Sequence, residues 1–248
     1  MAQAPRRTAL SGPTLVRLLA RLAQIDVPES GQSLSDRLSR WLGWTDAIAL
    51  STALNQSPPA IALNAPSAGK DAESLCARVR TALAQAIAGT GEAHGRRGAP
   101  AQVPSRGASM DATADYAGFR QRYLALQQTM QMEIADLRAR LRRMLSAQTP
   151  GMARLAVLDA SMEQALDAHE RNLLACVPTL LGTHFERLRD TERQRLADAD
   201  AHAPQSAASA PPGAWVDVFR RDMQSVLLAE LDIRFQPVEG LLAALRTR

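Results

Sequence analysis

Apolar side chains recur along this chain at three- and four-residue intervals, the spacing of helices buried on one face. The most regular run lies between Asp111 and Leu145, where Tyr116, Phe119, Tyr123, Leu126, Met130, Ile134, Leu137, Leu141 and Met144 follow one another at spacings of 3, 4, 3, 4, 4, 3, 4 and 3. That is a heptad rhythm with one four-residue stutter at Met130–Ile134, and it predicts a long helix with a continuous apolar seam. Thr149-Pro150-Gly151 marks a short turn. A second seam then runs through Met152, Leu155, Leu158, Met162, either Ala165 or Leu166, His169, Leu173 and Cys176. Two long helices joined by a short turn pack antiparallel, so residues 111–197 predict a helical hairpin, broken or kinked at Pro178.

The remaining segments carry the same period over shorter spans. Pro13 starts a helix with Leu15, Leu18, Leu19, Leu22 and Ile25 on one face. Ser33 caps a second through Leu38 and Trp41, with Asp36 placed for a capping box, and Thr45 caps a third carrying Ile48 and Leu54. These three predict a small N-terminal bundle over 1–56. Residues 57–70 read as a linker, 71–88 as one amphipathic helix with Leu75, Val79, Leu83 and Ile87 in a ladder, and 89–110 as a disordered linker. A further linker covers 198–213. The C-terminal segment 214–248 places Trp215, Phe219, Met223, Val226, Leu227 and Leu231 inward until Pro237 interrupts the helix. Strand-like alternation is nearly absent, and the fold class expected is all-α.

Charge changes this picture little. The formal net charge is +4, but Lys70 is the one lysine against 28 arginines, a bias that looks compositional rather than selected for phosphate binding. The densest basic stretch is LRARLRRML, Leu137 to Leu145. At about 100° per residue, Leu137, Leu141, Met144 and Leu145 share one sector. Arg138 and Arg142 border one side of it, Arg140 the other, and Arg143 lies nearer the back. From Arg120 to Arg143 there are six arginines and two acids; from Met152 to Asn172 there are two arginines and four acids, Asp159, Glu163, Asp167 and Glu170. Folding back at Thr149-Pro150-Gly151 brings Arg138 opposite Asp159. The arginines thus border a packing seam, with Arg143 least provided with a partner.

Candidate chemistry is sparse. Asn64 to Asp71 imitates a phosphate loop, but the first glycine is Asn64 and the final hydroxyl is Asp71, whose carboxylate repels phosphate. His169 sits on the seam beside Glu170, without the Glu-x-x-His spacing of a bundle metal site, and is expected as a polar residue hydrogen-bonded across the hairpin. Cys76 and Cys176 are expected as buried small hydrophobes. No Gly-x-Ser-x-Gly is present. No catalytic residue, metal ligand, cofactor or small-molecule substrate is assigned. No run approaches the ~20 apolar residues of a membrane span, and a cytoplasmic location is expected.

The segment Thr8 to Leu54, with its LSGPTLVRLLARL and DRLSRWLGWTDAI stretches, resembles the opening of an uncharacterised bacterial domain-of-unknown-function family of about 250 residues, and Tyr116 to Leu145 resembles it too. The resemblance implies no activity or cofactor. Through genes that tend to lie beside those for a stator-like membrane protein and an OmpA-like protein, it implies a cytoplasmic accessory of an envelope-associated assembly, in peripheral contact with a membrane complex. The residues themselves point to a non-enzymatic helical scaffold or adaptor, with a protein partner or self-association through the seam residues Tyr116 to Met144, Leu155, Met162 and Leu173. The alternative is nucleic-acid binding through Arg6, Arg7, Arg96, Arg97 and the basic surface of Arg138, Arg140, Arg142 and Arg143.

Overall fold

The computed structural model describes residues 13–26, 31, 33–55, 68–89, 115–201 and 213–247, and all regular structure among them is helical. Eight helices follow in the order α1 (Thr14–Ala23), α2 (Leu34–Trp41), α3 (Trp44–Asn55), α4 (Ala68–Ala88), α5 (Tyr116–Ser146), α6 (Pro150–Leu174), α7 (Val177–Ala201) and α8 (Ala214–Arg246). The protein is all-α.

Helix starts follow local chemistry. The Asp115 carboxylate accepts from the Ala117 amide at 3.1 Å, and the Thr149 hydroxyl accepts from the Met152 amide at 3.2 Å with Pro150 in the first turn. Ser33 caps α2 through the Asp36 amide at 3.1 Å. In α3 the expected cap, Thr45, is inside the helix. Gly43 precedes it, and its amide donates to the Asp46 carboxylate at 2.9 Å.

The centre is a three-helix core of α4, α5 and α8, each packed on the other two. Phe119 meets Phe219 and Tyr123 meets Glu230, so α5 and α8 run parallel. Arg80 reaches Asp232 and Glu239, and Arg246 pairs with Glu73, so α4 runs antiparallel to α8. The turn at 147–149 folds α6 back along α5 as predicted, while α3 lies on α6 and α1 packs on α7 and α8. The seam of α5 is therefore closed by α4 and α8 as well as by its hairpin partner.

Four expectations are corrected. The N-terminal helices do not make a bundle of their own: Leu15 and Leu22 of α1 join the common core, and α3 docks on α6. Helices of 10, 8 and 12 residues bury too little surface to stand alone. Pro237 does not interrupt α8, which continues to Arg246. The missing N–H costs about 3 kcal/mol, and burial of Phe235, Val238, Leu241, Leu242 and Leu245 around it offsets that loss. Helix α4 begins at Ala68, inside the expected linker 57–70, and α7 extends to Ala201, inside 198–213. The rest of those linkers and residues 90–110 lie outside the described residues, as do Arg6, Arg7, Arg96, Arg97 and Asn64.

Candidate functional site

The predicted seam divides into three groups. Tyr123, Met130, Ile134, Leu137 and Leu141 are buried, while Tyr116, Phe119, Leu126, Met144, Leu155 and Met162 are half-buried. Leu173 is 56% exposed, against expectation, and its neighbour Leu174 packs on the core instead. The reason is helical phase. Ala156 is buried in the common core beside the end of α5, and Leu174 follows it by 18 residues, five turns of about 3.6, so it returns to the same side.

Around that seam the arginines of Leu137–Leu145 pair as the hairpin register requires. Arg138 Nη2 lies 2.7 Å from Asp159 Oδ1, and Nη1 lies 3.1 Å from Glu163 Oε1. Arg142 Nε approaches Asp159 Oδ2 at 3.4 Å, and its Nη2 bonds Glu163. Arg140 pairs along its own helix with Asp136 at 2.7 Å. Arg143 is exposed, and no acid reaches it among the described residues.

A buried polar centre between α5 and α8 went unread in the sequence. Glu230 is fully buried. Its carboxylate accepts from the Tyr123 hydroxyl at 2.6 Å, from the Gln127 amide at 3.0 and 3.1 Å, and from Arg234 Nε at 2.9 Å. Arg234 Nη1 extends the chain to Glu170 at 2.8 Å. Burial, reinforced by the adjoining Glu230 charge, pushes the Tyr123 hydroxyl far above its ordinary range, so it stays a donor. The signal was present: Glu230 falls on the stripe of Phe219, Met223 and Leu227, with Arg234 one turn further. A completely satisfied buried carboxylate fixes the register of two helices.

The ends of α5 and α8 that begin the core carry an aromatic cluster. Phe185 of α7 sits 5.0 Å from both Trp215 and Phe219, Phe119 is 5.1 Å from Phe219, and Tyr116 is 5.6 Å from Phe185. The Tyr116 hydroxyl donates to the Pro178 carbonyl. Beside the cluster, buried His184 places Nε2 2.8 Å from Asp222 Oδ2 and Nδ1 3.1 Å from Arg187 Nη2. A guanidinium only donates, so Nδ1 accepts and the proton sits on Nε2. Arg187 also bonds the Leu22 carbonyl, and Arg21 reaches Asp222 at 3.8 Å, which clamps α1 onto α7 and α8.

His169 is half-buried and stacks on Trp41 at 4.4 Å; among the described residues its Nε2 has no hydrogen-bond partner, in place of the expected bond across the hairpin. Cys76 is buried, and burial pushes its thiol up, whereas Cys176 is exposed in the bend between α6 and α7, not buried as expected. Among the described residues no group of three or more His, Cys, Asp or Glu side chains could hold a metal ion, and no helix is long and apolar enough to cross a membrane. Shallow grooves flank the end of α5, one against α6 and one against α4, and Arg143 lines both.

These features define an all-α protein whose buried charges pair across helix interfaces. The chain belongs to the family described as Protein of unknown function (DUF3348), whose model matches residues 1–247. No curated protein and no solved structure matches it.

Proposed function

We propose that the protein is a non-enzymatic helical scaffold or adaptor acting by protein–protein association. The observation that carries this reading is the outer side of α3. Trp44 is 82% exposed, and Ile48 and Leu54 are 50% and 53% exposed, on a helix whose other side already packs on α6. Exposed aromatic and aliphatic groups clustered on one element mark interaction surfaces. The reading places the protein in the cytoplasm, in keeping with two free cysteines, and in peripheral contact with an envelope-associated assembly, in keeping with the family resemblance alone.

Light scattering on the full chain, with cross-linking in the native host, tests it. Self-association or a stable complex is expected, weakened by Trp44→Ala. A monomer that captures nothing overturns the proposal.

Nucleic-acid binding has narrower support. Arg138 and Arg142 spend their guanidiniums on Asp159 and Glu163, which leaves Arg140 and Arg143 of the basic stretch. Two exposed arginines make a small electrostatic footprint. Retardation of DNA or RNA that falls with rising salt would favour that reading.

A further inference from the structure

Helix interfaces in this protein set arginine against acid: Arg80 against Asp232 and Glu239, Arg138 against Asp159, Arg234 against Glu170, Arg246 against Glu73. The groove between α4 and α5 departs from that pattern. It has a volume of about 500 Å³ and is lined by Asp71, Ser74, Leu75 and Arg78 of α4 and by Arg140, Arg143 and Met144 of α5. Arg78 on one wall faces Arg140 and Arg143 on the other. All three are exposed. Arg140 has its weak intrahelical tie to Asp136, while Arg78 and Arg143 have no ion pair or hydrogen bond among the described residues. Against three guanidiniums the groove holds a single carboxylate, Asp71.

Like charges that converge on one groove repel in the free protein, and an anionic occupant relieves that repulsion. We propose that this groove is a docking site for an amphipathic helix of a partner protein, with acidic residues bordering an apolar stripe. The floor decides the kind of occupant. Leu75 and Met144 are half-buried and pack against the core with one side, so they offer an apolar strip between the basic walls. The packed α4 and α5 form a trough that a further helix fills, its apolar residues on Leu75 and Met144 and its carboxylates on the arginines of either wall. Planar guanidiniums suit bidentate carboxylate pairing. A phosphodiester backbone would have no use for the apolar strip. The proposal rests on the scaffold reading but uses a surface separate from Trp44.

The test uses the full chain and three designed helical peptides of about four turns, identical in a leucine stripe and flanked by Glu, by Gln or by Lys. Fluorescence anisotropy should show the Glu peptide bound at least about tenfold more tightly than the Gln peptide, with affinity falling as salt rises, and the Lys peptide not bound. Arg78→Ala combined with Arg143→Ala should abolish the difference between Glu and Gln peptides. Arg154→Ala, outside the groove, should leave it unchanged, and circular dichroism of each variant confirms that helicity is retained. Equal binding of Glu and Gln peptides, or a double variant that binds like the parent, overturns the proposal. So does displacement of the Glu peptide by a single-stranded oligonucleotide at lower concentration than by unlabelled Glu peptide. Loss of docking with Trp44-dependent association intact refutes the groove alone; loss of both refutes the scaffold reading.

Discussion

The Tyr123 hydroxyl donates to the Glu230 carboxylate across 2.6 Å, joining α5 to α8 at a point sealed from water. Gln127 and Arg234 complete the carboxylate's partners. Replacing Glu230 with alanine leaves Arg234, whose side chain is 8% exposed, with Glu170 alone. A loss of about 3–5 kcal/mol in urea unfolding is expected. Tyr123→Phe removes one donor and should cost about 1–3 kcal/mol. A Glu230→Ala protein with the parental midpoint would show that the centre contributes nothing.

Alkaline stability tests the same centre through the proton. Burial raises the hydroxyls of both Tyr123 and Tyr116 above the ordinary tyrosine range, so the folded chain keeps protons that the unfolded chain releases. Their contribution is complete below the unfolded value of about 10 and declines above it, by up to about 1.4 kcal/mol per pH unit for each tyrosine. Denaturation series between about pH 9 and 11 should show that decline in the parent and a shallower one in Tyr123→Phe. Parallel profiles would contradict it.

Gly182 faces the ring of Tyr116, where an added Cβ would lie 2.9 Å from Cε1. The ring cannot retreat easily, because Phe185 and Phe219 stand beside it. Gly182→Ala should therefore destabilise by about 1–3 kcal/mol, measured as a shift in thermal midpoint. Tyr116→Ala should make the same substitution nearly neutral, and additive losses would remove the steric explanation.

The two thiols should separate by accessibility. Cys176 is exposed and Cys76 buried, with its thiol held protonated by burial. A thiol reagent should modify Cys176 quickly in the native protein and Cys76 only in denaturant. Equal rates under native conditions would place Cys76 elsewhere.

The Arg138–Asp159 pair, 12% and 13% exposed, sets the hairpin register together with Glu163. Arg138→Asp and Asp159→Arg should each destabilise the protein, and combining them should recover about 1–3 kcal/mol of the loss. Simple additivity would indicate that the pair does not couple the helices.

Much of this fold is local physics and was legible along the chain. The heptad spacing of α5, the proline start of α6 and the opposite charge of the two helices were enough to place Arg138 against Asp159. Cap chemistry located the start of α2 for the same reason, because the Ser33 hydroxyl acts on an amide three residues away; the same reasoning misplaced the cap of α3, where Thr45 lies inside the helix. What periodicity cannot encode is which apolar face meets which. Only the tertiary arrangement decided that α8 closes the α5 seam, that α1 and α3 dock on distant helices, and that Pro237 stays within a continuous helix. Glu230 shows the difference most plainly. Its position on the stripe was visible, but its meaning came from Tyr123, which lies 107 residues away in sequence and 2.6 Å away in space. The convergence of Arg78 with Arg140 and Arg143 is of the same kind, because repulsion across a groove exists only once two helices have been set side by side.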